Sequence, residues 1–153
     1  MSRVHAEAAA VIPAPPDMIY ALLVDYVAGH PQILPPQYFR DLQVESGGRG
    51  AGTVIRLQAG AMGRMRPMRM LVAEPEPGRV LSESDTASSL VTTFTVTPVA
   101  GGTQAQVRIA THWDAAAGLA GMLERLLIPS IYRRIYRAEL AQLAAVLGAG
   151  NVV

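Results

Sequence analysis

Residues 90–113 read LVTTFTVTPVAGGTQAQVRIATHW, which predicts two antiparallel strands joined by a tight glycine turn. The first strand alternates between two sets of residues: Leu90, Thr92, Phe94 and Val96 against Val91, Thr93, Thr95 and Thr97. The second alternates in the same way: Ala105, Val107, Ile109, Thr111 and Trp113 against Gln104, Gln106, Arg108, Ala110 and His112. Because successive side chains of a strand point to opposite faces, one face of this hairpin is apolar and has to be covered.

A long helix over residues 114–147 is predicted to cover that face. Its apolar residues recur at helical spacing: Ile128, Ile131, Tyr132, Ile135, Tyr136, Leu140, Leu143 and Leu147. Pro129 lies inside this element, and we expect a kink or a break there because proline removes a helical hydrogen bond.

The rest of the chain predicts five more strands, at 4–12, 39–45, 52–58, 65–73 and 79–85, separated by short breaks rich in Gly and Pro. Residues 17–26 predict a short helix, and a further helical turn follows within 31–36. The predicted fold class is α+β, of the helix-grip type. A curved, seven-stranded antiparallel sheet surrounds the long C-terminal helix, with two short helices after the first strand, in a single domain over 1–153.

Composition narrows the class of protein. Of the 153 residues, 50% are hydrophobic and 16% are charged, which excludes a disordered chain. A net charge of +1 gives no bulk basic field, so we expect no nucleic-acid partner. Without cysteine there is neither a thiolate nucleophile nor a disulfide. We find no secretory signal and no apolar run of about 20 residues that could span a bilayer, and we expect a cytoplasmic protein, either a monomer or a homodimer.

Small residues on the inner face of the predicted sheet indicate a hollow. The inner positions include Ala6, Ala8, Ala10, Ala105 and Thr111, and the chain has only two Phe and one Trp. One helix cannot fill a strongly curved sheet without bulkier side chains, so we expect a ligand cavity between the two. A small, well-packed sandwich is the alternative.

Four motifs carry a resemblance to a known family. They are IPAPPDMIYALLVDY at 12–26, GRGAGT at 48–53, EPEPGR at 74–79, and TVTP at 95–98 followed by GGT at 101–103. In this order they resemble the START-like (SRPBCC) superfamily, and within it the bacterial polyketide cyclase/dehydrase-like proteins most. The resemblance implies the helix-grip fold and a hydrophobic ligand more than it implies a reaction.

The predicted ligand-binding residues come from four parts of the chain. Residues 28–39, rich in Pro and apolar side chains, form a candidate lid. Met is able to fit irregular apolar partners, and the Met side chains of the 62–70 segment either line the pocket or belong to an ordinary core. The full set is Ile33, Leu34, Tyr38, Phe39, Met62, Met68, Met70, Phe94, Trp113, Met122, Leu126, Tyr132 and Tyr136.

Glu139 is the most informative polar candidate, because it falls within the apolar stripe of the long helix. A carboxylate there needs a partner, a proton or a wet cavity, and Arg56, Arg66 or Arg69 could pair with it. Such a pair could orient a ligand or act in general acid/base catalysis; alternatively, Glu139 reaches solvent near the helix end. Tyr132 and Tyr136 could each offer a hydroxyl to a ligand, or bind the sheet backbone or buried water.

Three function classes follow. The leading hypothesis is a binding protein for a small hydrophobic molecule: a lipid, polyketide, isoprenoid or aromatic compound. The alternatives are a cyclase or dehydratase, with Glu139, Tyr132, Tyr136 and Arg56 as candidate catalytic residues, and a chaperone-like domain that binds a partner protein. His5, His30 and His112 lack metal-ligand spacing, so we expect no metal and no cofactor, and we place His30 near the pocket mouth.

Overall fold

The structure, a computed structural model, describes residues 2–150, although not the side chains of 149 and 150. The strands are β1 (Arg3–Ile12), β2 (Phe39–Ser46), β3 (Val54–Ala61), β4 (Arg64–Glu76), β5 (Val80–Asp85), β6 (Val91–Val99) and β7 (Gln104–Asp114). The α-helices are α1 (Pro16–Val24) and α2 (Gly118–Gly150), and short 3-10 helices lie at His30–Ile33 and Ala100–Gly102.

The strands form one antiparallel sheet in the order β1-β7-β6-β5-β4-β3-β2. The first strand therefore pairs with the last, and the intervening strands follow one another as hairpins. Every residue of the predicted inner sets on β6 and β7, from Leu90 to Val96 and from Ala105 to Trp113, is buried. The predicted α+β helix-grip fold is confirmed.

Helix α2 packs mainly on β1 and on the 3-10 helix that follows α1. Its buried apolar residues are Ile135, Tyr136, Leu140, Leu143 and Leu147. Of the predicted kink or break at Pro129, the break is wrong, since α2 runs through this residue as one helix, and the kink stays a prediction. Proline removes only the hydrogen bond to the carbonyl of Arg125, and the remaining bonds of a 33-residue helix maintain it.

The segment after β1 is shaped by proline and by one aspartate. Pro16 occupies the first turn of α1, where its missing N–H would have had no helical partner. After the helix, the Asp25 carboxylate accepts hydrogen bonds from the amides of Val27 and Ala28, each at 3.1 Å. The His30 amide donates to the Asp25 carbonyl at 2.7 Å. This turn carries the His30 side chain into the space between sheet and α2.

The β3–β4 hairpin extends further than the sequence predicts. Gly60 and Ala61 pair with Met65 and Arg64, so only two residues remain in the turn. Met62 and Gly63 both have positive φ, 56° and 76°, as a type I′ turn requires. Met62 therefore lies at the tip of the hairpin and is 83% exposed, instead of sharing the inner face with Met68 and Met70.

We expect Met62→Asn to stabilise the protein by about 0.5–1 kcal/mol, because asparagine tolerates the left-handed conformation and methionine does not. Urea unfolding measures the change. Met122→Asn is the matched control, since Met122 is also exposed but lies in a helix, where asparagine is slightly unfavourable. Destabilisation by Met62→Asn would contradict this account of the turn.

Candidate functional site

A cavity of about 560 Å³ lies between the inner face of the sheet and α2. Its wall combines β2–β7, the segment before β2 and one side of α2. Exposed residues such as Arg66, Ser88 and Ser89 mark its mouth, whereas His30, Phe94 and Glu139 form its buried end. The cavity thus has a solvent-exposed mouth and a buried interior.

Most of the predicted ligand-binding residues line this cavity. They are Leu34, Tyr38, Phe39, Met68, Met70, Phe94, Trp113, Tyr132 and Tyr136. Their position is established by the fold, and their contact with a ligand stays a prediction. Ile33 is fully buried in the core beside them and does not face the cavity.

Besides Ile33, three residues of the predicted set lie outside the cavity. Met62 is at the hairpin tip, while Met122 and Leu126 are 60% and 73% exposed on the outer side of α2. The inner side of this half of α2 carries Glu124, Ile128 and Ile131 instead. The first turns of α2 are apolar on both sides, and this pattern does not reveal which side faces the sheet.

Glu139 is the central polar group of the buried end. Its side chain lines the cavity, is only 2% exposed, and forms no side-chain hydrogen bond to the described residues. Burial raises the pKa of its carboxyl well above the usual 4.5, and the charge of Glu83 raises it further. Burial therefore favours the protonated form of Glu139, and the expectation that it reaches solvent is wrong.

The predicted arginine partners of Glu139 lie elsewhere. Arg56 and Arg69 both pair with Glu45, at 3.4 and 2.7 Å, through exposed side chains outside the cavity. Alternation on β3 and β4 turns these two arginines away from α2, so Arg56 is not a candidate for cavity chemistry. Arg66 lies on the same face of β4 as Met68 and Met70, but it is at the mouth of the cavity.

A second buried carboxyl, Glu83 on β5, is well partnered. The Tyr26 hydroxyl donates to Glu83 Oε2 at 2.7 Å, and His30 Nε2 lies 3.6 Å from the same oxygen. The other nitrogen of His30 lies 2.7 Å from the Leu23 carbonyl. A carbonyl only accepts, so Nδ1 carries a proton and Nε2 faces Glu83.

The rings of this group are held by stacking. Tyr26 and His30 are parallel with centroids 4.5 Å apart, and Phe94 meets His30 edge-on at 5.3 Å. Burial, followed by the charge of Glu83, raises the pKa of Tyr26 well above 10. Tyr26 thus remains a hydrogen-bond donor to Glu83. The buried end of the cavity combines the carboxyl of Glu139 with the Glu83–His30 pair.

The two tyrosines of α2 differ in their hydroxyl partners. Tyr136 is hydrogen-bonded to the Thr111 hydroxyl, which in turn lies 2.7 Å from the Thr92 hydroxyl. The partner of Tyr136 is therefore a threonine side chain, and not the sheet backbone or buried water. The Tyr132 hydroxyl has no hydrogen bond to the described residues. Its ring lies 5.3 Å from that of Trp113, and the Trp113 indole donates to Glu124 at 3.2 Å. Tyr132 is the tyrosine whose hydroxyl is free for a ligand.

Among the described residues, no three His, Asp or Glu side chains lie close enough together to hold a metal ion. Within residues 2–150, no helix is both long and apolar enough to cross a membrane.

Sequence comparison places these features in a family. Residues 3–148 match the family described as polyketide cyclase / dehydrase and lipid transport. The chain belongs to this family. A search of curated proteins finds no match.

Solved structures of the same architecture include three informative ones. The KanY protein is 32% identical, over 97% of this chain and 99% of that one, with a TM-score of 0.82. The Zhui aromatase/cyclase from a Streptomyces species is 20% identical, over 94% and 93%, with a TM-score of 0.74. Norcoclaurine synthase from Thalictrum flavum, in complex with dopamine and hydroxybenzaldehyde, is 13% identical, over 99% and 90%, with a TM-score of 0.73. At such low identity the last two show the shared fold.

For this member of the family, sequence reasoning misses Tyr26 and Glu83 and misplaces His30, which is 1% exposed at the buried end instead of near the mouth. Strand alternation could have predicted the burial of Glu83, because it lies two residues after the fully buried Leu81 on β5. For Tyr26 and His30, the loop conformation that brings them together is not encoded in a periodic pattern.

We expect Glu139→Gln to stabilise the protein at neutral pH. Folded Glu139 retains a proton that the unfolded chain releases above about pH 4.5, so wild-type stability falls as the pH rises from there to the folded pKa. The difference between variant and wild type should widen by about 1.4 kcal/mol per pH unit in that window. Urea titrations at pH 4 to 8 measure it. A constant difference would show that Glu139 is ionised when folded.

Proposed function

We propose that this protein binds a small, mostly apolar molecule whose carbonyl or hydroxyl oxygen accepts a hydrogen bond from Glu139. The observation that carries the proposal is the carboxyl of Glu139, which faces the cavity without any partner among the described residues. A carboxyl that faces a mainly apolar cavity forms a hydrogen bond with a ligand acceptor in surroundings of low dielectric constant, where such a bond is strong.

The size and lining of the cavity support an apolar ligand of a few rings. A volume of about 560 Å³ is within the range of small-molecule sites, and its walls are mainly apolar and aromatic. Burial of apolar ligand surface contributes about 25 cal/mol per Å². Phe94, Trp113 and Tyr132 provide flat faces, which favour an aromatic or polyketide-like body.

Charge at the buried end supports a neutral polar group on the ligand. Glu83 and Glu139 are both carboxyls, and His30 is the basic side chain beside them. An anionic ligand end would meet Glu83 in a medium of low dielectric constant, where repulsion is strong. A ketone, aldehyde or phenol accepts the Glu139 proton without introducing charge.

A matched ligand pair tests the role of Glu139. We expect 2-acetylnaphthalene to bind about tenfold more tightly than 2-ethylnaphthalene, because only the ketone accepts a hydrogen bond. Equilibrium dialysis measures both affinities. Glu139→Met should abolish the preference for the ketone, and Glu139→Gln, which retains a donor, should keep it.

The control variant is Leu126→Ala, which removes an exposed side chain outside the cavity and should leave both affinities unchanged. Equal affinity of the wild type for the two ligands would exclude Glu139 as the anchor. Failure of both to bind would argue against an aromatic ligand in this cavity.

The Glu83–His30 pair favours a second candidate function, acid/base catalysis of the cyclase or dehydratase type. Glu83, with His30 beside it, would remove a proton from the carbon next to the ligand carbonyl. Glu139 would give its proton to the carbonyl oxygen. The C–H bond breaks, the O–H bond of an enol forms, and the reverse steps restore the ketone. The donor and the acceptor needed for this step both line the cavity.

Hydrogen exchange tests this second function. In D₂O we expect the methyl protons of 2-acetylnaphthalene to exchange faster with the protein present, by about 10²-fold or more. Proton NMR follows the loss of the methyl signal. Glu83→Gln should abolish the enhancement, and Tyr26→Phe, which removes only the hydroxyl bonded to Glu83, should retain most of it. Binding without exchange would leave the protein a carrier.

A further inference from the structure

The outer side of α2 carries an apolar surface with no partner in the fold. Five side chains recur at i, i+3, i+4, i+7 and i+8, and between 51% and 73% of each is exposed: Leu119, Met122, Leu123, Leu126 and Leu127. This spacing puts them on one face of the helix. We call this face the leucine face. A folded chain rarely exposes such a continuous apolar stripe unless something covers it.

The same helical face continues into a basic surface. Arg133, Arg134 and Arg137 follow at the positions that extend the leucine face by two further turns. None of the three forms an ion pair among the described residues, and the acidic residues of α2, Glu124 and Glu139, are on the opposite, cavity side. The outer side of α2 is therefore apolar at one end and cationic, with no acidic side chain, at the other.

We propose that the outer side of α2 is a contact surface for an anionic lipid bilayer. The leucine face would enter the boundary between headgroups and acyl chains, and the three arginines would lie against lipid phosphates and carboxylates. Interfacial helices bind in this way, through apolar insertion on one surface and basic attraction to anionic lipid. Charge favours an anionic bilayer over a second copy of this chain, because the outer side of α2 carries no acidic side chain that could pair with the arginines of another copy.

The cavity mouth lies against the same part of α2. Glu124 and Ile128 line the cavity from the inner side of the turns whose outer side bears Leu123 and Leu127. Met62, 83% exposed on the tip of the β3–β4 hairpin, belongs to a second element of the cavity wall, to which Ala61 contributes. Contact at the leucine face would thus bring the cavity mouth to the bilayer, although the contact does not depend on which ligand the cavity holds.

Vesicle sedimentation with the full chain tests the proposal. We expect the wild type to bind vesicles of phosphatidylcholine with 30% phosphatidylserine, and to bind pure phosphatidylcholine vesicles at least tenfold more weakly. The triple variant Arg133→Gln, Arg134→Gln, Arg137→Gln should weaken binding to the anionic vesicles by about a hundredfold. The triple variant Leu123→Ser, Leu126→Ser, Leu127→Ser should also lose binding, because the apolar insertion is removed.

A control triple variant separates this surface from the net charge of the protein. Arg3→Gln, Arg40→Gln and Arg108→Gln remove the same charge from exposed positions on β1, β2 and β7, and should retain binding. Equal loss in the control, or no preference for anionic vesicles, would overturn the proposal. So would light scattering that shows a wild-type dimer converted to a monomer by the leucine substitutions, since a second copy would then cover this face. Circular dichroism and thermal unfolding confirm that each variant is folded.

Discussion

A single helix has to cover the inner face of a seven-stranded sheet, and the cavity follows from this constraint. Strands lie about 4.8 Å apart and a helix with its side chains is about 10–12 Å wide, so one helix covers the width of two or three strands. α2 packs mainly on β1 at one edge of the sheet. The inner face of β3–β5 remains partly uncovered, and the curvature of the sheet encloses that space instead of exposing it.

The two buried carboxyls of the cavity differ because their surroundings differ. Glu83 accepts a hydrogen bond from Tyr26 and has His30 beside it. Glu139 has neither contact, and burial, followed by the charge of Glu83, raises its pKa well above the usual 4.5. Two residues of the same type thus offer a ligand one carboxyl whose protonated form is favoured and another that already accepts a hydrogen bond.

The fold could be predicted from the sequence because strand and helix periodicity, glycine turns and family motifs agree over most of the chain. The inner sets of β6 and β7 are buried as their alternation predicts. At the site, alternation and helical spacing predicted that Met70, Phe94 and Tyr136 face the interior. Alternation and helical spacing failed where they do not determine which way a side chain points. At Met62 a two-residue turn interrupts the strand, and the first half of α2 is apolar on both sides. The grouping of Tyr26, His30 and Glu83 depends on a loop conformation and on contacts between distant residues, which a single sequence does not display.

The pairing of β1 with β7 has a consequence for how the chain folds. Ala6 is paired with Thr111 and Ala10 with Val107, so β1 has no partner until β7, about a hundred residues later in the chain, has been made. Contacts between such distant residues slow folding, because a large loop must close before they form. During this time β1 is an unpaired strand. Its run of alanines, with low strand propensity and little apolar area, makes it a poor template for aggregation. The small side chains on which α2 packs in the folded protein thereby also protect the unfinished chain.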